Sequence, residues 1–144
     1  MLETVIHMPI TDSNSLRDIL ATSRVVAVMG HSNNPNRVSY QIAAMLRQVG
    51  YTVYPVNPNL TEIDGQPCYP TLLEVPEPID IVNVFRRSEY LPEVVDQALA
   101  VNAKIIWAQL GVVDALAARV AEAEGIRVVM DRCIKVEYYR LMKT

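Results

Sequence analysis

The apolar run Val25-Val26-Ala27-Val28-Met29, left through Gly30-His31-Ser32-Asn33-Asn34-Pro35-Asn36-Arg37, constrains the fold more than any other stretch. A strand that is apolar at every position has no solvent face. It must be covered on both sides, as an interior strand of a parallel sheet is. The polar turn leads at once into Val38, Ile42, Met45, Leu46 and Val49, a helical stripe that Gly50 ends. In doubly wound α/β domains a strand–turn–helix of this kind binds the phosphates of a nucleotide cofactor.

The alternation continues along the chain. A short helix, Ser15 to Ala21 with Ser13 or Asn14 as its cap, precedes the first strand. The pattern predicts strands at Thr52–Val56, Ile79–Phe85, Lys104–Ala108 and Ile126–Met130. Helices follow Pro92, run from about Val112 to Glu124, and run from about Ile134 to Met142. Residues 57–78 are broken by five prolines and admit one helical turn near Thr71 to Glu74. Strands alternating with helices imply a parallel sheet with helices on both faces and right-handed crossovers. The expected architecture is a three-layer, Rossmann-like α/β domain with a five-stranded parallel sheet of order 3-2-1-4-5. No repeat, low-complexity tract or linker divides the 144 residues, so one domain is expected, with its core over about residues 23–141.

Composition narrows the partners. A net charge of -3 and the lack of any Lys/Arg run argue against nucleic acid as the main partner. No apolar run is long enough to cross a bilayer, and the N-terminus lacks the layout of a signal peptide. Cys68 and Cys133 lie far apart, which fits reduced thiols and a cytoplasmic location. An anionic small ligand stays open, because helix N-termini and local cations decide that question, not net charge.

The turn departs from the dinucleotide fingerprint. Gly30 is in register with G-x-G-x-x-G, but Ser32 and Pro35 stand at the second and third glycine positions. Gly30 lets the backbone approach a diphosphate, or is a plain turn glycine. Ser32 has a hydroxyl to donate to phosphate. Arg37 either pairs with phosphate or is a solvated helix-start residue. Ser39 is expected as a helix cap rather than a ligand contact. An NAD site needs an acid at the end of the second strand, and that place holds Asn57-Pro58-Asn59. A ribose bearing a phosphate, as in NADP or coenzyme A, suits such an end. Of Arg86 and Arg87, alternation directs one to the crevice and the other to solvent. Trp107 is expected in the core or crevice wall, with Gln109 and Gly111 near the distal part of a long cofactor.

No catalytic set or metal-ligand spacing stands out. His7 lies near the N-terminus, His31 is expected as an exposed turn residue, and Cys133 as a buried structural cysteine rather than a reactive thiol. The carboxylates Asp80 and Asp131 read as strand-boundary residues.

The chain also resembles a known family, the small stand-alone CoA-binding domain proteins related to the CoA-binding domain of the succinyl-CoA synthetase α subunit. The matching residues are Gly30-x-Ser32-x-x-Pro35-x-Arg37-x-Ser39, Gly50-Tyr51, Val53-Tyr54-Pro55-Val56-Asn57-Pro58, Gly65 with Tyr69-Pro70, Ile79-Asp80-Ile81-Val82 with Phe85-Arg86, Trp107-x-Gln109-x-Gly111 and Asp131-Arg132-Cys133. The similarity runs from about Ser23 to Leu141. It implies a domain that binds coenzyme A or a short acyl-CoA. Gly30, Ser32, Pro35 and Arg37 would lie on the diphosphate side, Asn57 and Pro58 against the adenosine, and Phe85, Arg86, Gln109 and Gly111 along the remaining path. His31 has no family role. The synthetases' histidine-bearing second domain has no counterpart here, so binding without catalysis by this chain alone is expected. The alternatives are an NADP-linked oxidoreductase or a CoA-ligase component that needs a partner subunit. A homo-oligomer or another protein partner is open.

Overall fold

The computed structural model describes residues 8–142, so His7 lies outside the described residues. Five parallel strands form one sheet: β1 (Val25–Met29), β2 (Thr52–Val56), β5 (Ile81–Val84), β6 (Ile105–Ala108) and β7 (Arg127–Val129). Every residue of β1, β5 and β6 is buried, whereas the outer strands β2 and β7 each open on an exposed residue. Helices α1 (Ser13–Thr22), α2 (Val38–Gln48) and α5 (Ile134–Leu141) cover one face, around Leu16, Ile42, Leu46, Trp107 and Ile134. Helices α3 (Leu91–Ala100) and α4 (Ala115–Ala123) cover the other, around Val82, Val84, Val94, Ile106 and Ala121. The three-layer, Rossmann-like arrangement stands as the sequence implied.

Helix ends follow local chemistry. Asp12, not Ser13 or Asn14, caps α1, its carboxylate accepting from the Ser15 N–H at 2.9 Å. Asp114 caps α4 through the Ala117 N–H at 3.0 Å, so α4 starts three residues later than expected. Gly50, with φ +110, closes α2. Ser39 is not a cap. It is the second residue of α2, and its buried Oγ accepts from the Ser32 N–H at 3.0 Å.

The strand order is corrected. The sheet runs β2-β1-β5-β6-β7, so the third long strand lies beside β1 and not outside β2. In the expected order 3-2-1-4-5 it would have lain outside β2. The reason is legible at Pro55. The Thr52 N–H donates toward β1, to the Arg24 carbonyl at 2.9 Å, so alternation turns the Pro55 nitrogen to the open side. A proline nitrogen has no hydrogen to give, and β2 is therefore fit for an edge and not for the interior. Asp80 fixes the alternative place from below. Its carboxylate accepts from the N–H groups of Arg24 and Val25, each at 2.9 Å, and seats the start of β5 against the start of β1.

Residues 57–80 hold structure that the proline pattern concealed. β3 (Glu62–Ile63) and β4 (Gln66–Pro67) form a small hairpin around Asp64 and Gly65, both at positive φ. Tyr69 bonds the outer side of β2, accepting from Asn57 at 2.9 Å and donating to Pro55 at 3.0 Å. The predicted helical turn is a 3-10 turn, Leu72–Glu74, held by a Thr71/Glu74 capping box.

Candidate functional site

The β1/β5 junction is the topological switch point of this order, and ligands in open α/β sheets bind at the carboxyl ends there. A crevice of about 350 Å³ opens at that place. Gly30, Asn57, Pro58, Phe85, Arg86 and Arg87 line it, with Pro70, Thr71, Tyr90, Glu93 and Gln97 completing its wall. That volume falls in the range of small-molecule sites.

Gly30 is required by the fold as well as by any ligand. Its φ is +86, and a Cβ there would lie 2.6 Å from the Phe85 carbonyl oxygen. The turn can pass β5 this closely only without a side chain. Its N–H donates to the Val56 carbonyl at 2.8 Å, and the Phe85 N–H donates to the Met29 carbonyl at 2.9 Å. Three strand ends are thereby locked around the crevice floor.

The turn beyond Gly30 is tightly built. The Ser32 Oγ accepts from the Asn34 N–H at 3.0 Å, and the Asn34 Oδ1 accepts from the Asn36 N–H at 2.9 Å. The Pro35 carbonyl accepts from Gln41 Nε2 at 3.1 Å. The first helical bond of α2 is Gln41 N–H to the Arg37 carbonyl, at 3.1 Å. The N–H groups of Val38, Ser39 and Tyr40 therefore have no intrahelical acceptor, and the helix start favours an anion. Arg37, at the N-cap position, is exposed and its side chain has no bonded partner among the described residues. Ser32, Pro35 and Arg37 thus form a turn beside the crevice, not its lining.

Asn57 fixes the acid-free end of β2. Its Nδ2 donates to the His31 carbonyl at 3.0 Å, and its Oδ1 accepts from Asn59 at 2.9 Å. Across the crevice, Arg86 faces Glu93 at 3.5 Å and lies over the Tyr90 ring, 4.2 Å from its centroid. Arg87 turns outward, with 84% of its side chain exposed. Both arginines border the crevice, so the expected division is one of degree: Arg86 is the less exposed and pairs with Glu93, while Arg87 reaches outward to Glu89 at 3.8 Å.

Other expected residues lie elsewhere. Gln109 is buried at the end of β6, where its Oε1 accepts from Asn83 Nδ2 and from the Ile134 N–H, each at 3.0 Å. Gly111 is in the loop after β6, donating to Asp131 Oδ1 at 2.7 Å and accepting from Ser88 Oγ at 3.2 Å. Neither lines the crevice. Trp107 is fully buried, and its Nε1 donates to the Arg132 carbonyl at 2.9 Å. Cys68 is buried and Cys133 half-buried, and both are free thiols. His31 is a correction. It is wholly buried, not an exposed turn residue, with Tyr40 and Arg47 of α2 against its ring and Asn57 holding its carbonyl. Sequence reasoning also missed Tyr90, Glu93 and Gln97. Tyr90 directly precedes α3, Glu93 lies in its first turn and Gln97 further along it, and Pro92 at a first helical turn was the available signal that this helix opens at the crevice.

Residues 24–139 match the CoA binding domain family. The uncharacterized protein YneT of Bacillus subtilis (strain 168) is 42% identical over 123 residues, which cover 85% of this chain and 91% of YneT. An ADP-forming acetate–CoA ligase I of Archaeoglobus fulgidus is 32% identical over 123 residues; the match covers 77% of this chain but only 18% of that ligase. A hypothetical protein from Pyrococcus horikoshii OT3 has a solved structure with a TM-score of 0.89 to this one, at 34% identity over 99% of both chains. A Thermus thermophilus structure gives a TM-score of 0.84 at 34% identity, over 91% of this chain and 99% of its own.

Proposed function

The chain belongs to the CoA binding domain family, and from that premise we propose that it binds coenzyme A or a short acyl-CoA without catalysis by this chain alone. The observation that carries the reading is the switch-point crevice beside a turn that offers an anion free donors and no carboxylate. The diphosphate lies along Gly30, Ser32, Pro35 and Arg37, where the first N–H groups of α2 point outward. The adenosine rests on Asn57 and Pro58, and its ribose phosphate meets no acid at the end of β2. Phe85 and Arg86 border the remaining path. Gln109, buried and bonded to Asn83 and to the start of α5, and Gly111, in the loop after β6, stand outside this lining and carry no ligand contact in the proposal. The lining holds two arginines against one carboxylate, Glu93, which is already engaged by Arg86. The proposal includes a cytoplasmic location, where the two free thiols stay reduced.

Native mass spectrometry with added coenzyme A tests this directly. A one-to-one complex that Arg37→Ala weakens is the expected result, and a spectrum of free protein alone refutes it.

A second reading is favoured by the ligase similarity: the chain serves as the CoA-binding component of a ligase completed by a partner subunit. Affinity purification from the source cells distinguishes the two. A co-purifying subunit that restores acyl-CoA formation supports the component reading, and its absence leaves the stand-alone binder.

A further inference from the structure

His31 is the residue that the proposed ligand site does not use and the fold does not explain by packing alone. Its side chain is polar, fully buried, and lies near the start of the turn that joins β1 to α2. Two contacts define its protonation. Nδ1 lies 2.7 Å from the Ser32 carbonyl oxygen, which can only accept, so Nδ1 carries a hydrogen. Nε2 lies 3.5 Å from Nη1 of Arg47, which can only donate, so Nε2 presents its lone pair. The remaining neighbours are Tyr40 of α2, edge-on at 5.9 Å, and Asp64 of the β3–β4 turn, which accepts from the Tyr40 hydroxyl. Both ring nitrogens therefore specify one form, the neutral imidazole with its proton on Nδ1.

That form has a consequence for the backbone. A peptide unit is planar and trans, so its N–H points opposite to its C=O. With the Ser32 carbonyl drawn inward to the buried ring, the Asn33 N–H must face outward. No protein acceptor takes it among the described residues. The Asn57 bond to the His31 carbonyl pins the preceding peptide as well.

We propose that His31 is the positioning residue of the phosphate turn: through its Nδ1–H bond to the Ser32 carbonyl it aims the Asn33 N–H at an incoming diphosphate, and Arg47 enforces the tautomer that makes this bond. The proposal rests on the coenzyme A reading and adds the residue that shapes the donor set. It gives His31 no contact with ligand and no chemical step.

Two measurements test it. Nitrogen NMR of the imidazole in the wild-type protein, without ligand at neutral pH, reports the tautomer; a proton on Nε2 overturns the proposal. Binding is then compared for coenzyme A and pantetheine in His31→Asn, which places an amide N–H where Nδ1 stood, and in His31→Gln, which places its polar group where Nε2 stood. The expected result is near wild-type coenzyme A affinity in His31→Asn and a loss of about tenfold in His31→Gln, the scale of one hydrogen bond. Pantetheine, which lacks the diphosphate, should lose nothing in either. Equal losses for both ligands, or unchanged coenzyme A affinity in His31→Gln, would overturn the proposal while leaving the coenzyme A reading intact. Wild-type protein that binds no coenzyme A would instead refute the reading itself, and the positioning role with it. Should the variants not fold, the tautomer measurement decides alone.

Discussion

Gly30 and Arg37 sit seven residues apart in one turn and make opposite demands on experiment. Gly30 holds a left-handed φ against the Phe85 carbonyl, so Gly30→Ala adds both strain and a clash. We expect a loss of about 1–3 kcal/mol in urea unfolding, together with weakened coenzyme A binding. The Arg37 side chain is exposed and has no bonded partner among the described residues. Arg37→Ala should leave unfolding stability within about 0.5 kcal/mol, yet lower coenzyme A affinity roughly tenfold to a hundredfold, as loss of a charge-assisted bond does. A stability loss without an affinity loss would make Arg37 a structural residue. The places of Gly30 and Ser32 in the turn were legible from sequence because they stand at fingerprint positions, and that of Arg37 because it directly precedes the helical stripe of α2. His31 was not. A histidine in a polar turn carries no local signal of burial, and its two hydrogen-bonding partners are set by tertiary contact with α2 and by the path of the turn itself.

Among the elements, the ends of the strands and the start of α5 show where sequence pattern succeeds and fails. Every long strand and helix was readable from hydrophobic period; β1 and β2 fall within their expected bounds, and the other elements are shifted at one or both ends by at most three residues. The place of β5 was missed because period says what a segment is and not beside what it lies. Pro55 held the information: its missing N–H needs the outer edge, and that alone excludes a third strand outside β2. The β3–β4 hairpin was hidden by prolines that sit in two-residue strands and turns. Gln109 read as a ligand neighbour from its position after β6, whereas it ties α5 to the sheet. Gln109→Leu should strand the Ile134 N–H and leave Asn83 Nδ2 only its 3.4 Å bond to the Trp107 carbonyl, a cost of about 1–3 kcal/mol for a buried unpaired group. Chemical denaturation checks this, and a loss confined to the α5 amides in hydrogen exchange would locate it.

For the molecule as a whole, two buried or bonded titrating groups shape stability against pH. Burial, joined by the Arg47 charge, lowers the His31 pKa below 6.5 and outweighs the opposing Ser32 bond and Asp64 charge. The unfolded chain then binds the proton more readily, so His31 contributes stability that is full above about 6.5 and is lost as pH falls through its folded value. For Asp80, burial pushes the carboxyl up, but the Val25 and Arg24 N–H bonds and Lys104 together hold it below 3.8. Its contribution is present above that value and fades at lower pH. Urea unfolding from pH 7 to 5 should show a decline that His31→Gln flattens and Asp80→Asn does not.

The central claim, a site specified for a 3′-phosphorylated, diphosphate-bearing ligand, is tested most directly by calorimetric titration of the wild-type protein with coenzyme A, 3′-dephospho-CoA, NADP and NAD. Coenzyme A should bind tightest, removal of its 3′-phosphate should weaken binding, and NAD should bind least. Binding of NAD as tight as that of coenzyme A, or no heat with coenzyme A, would contradict it.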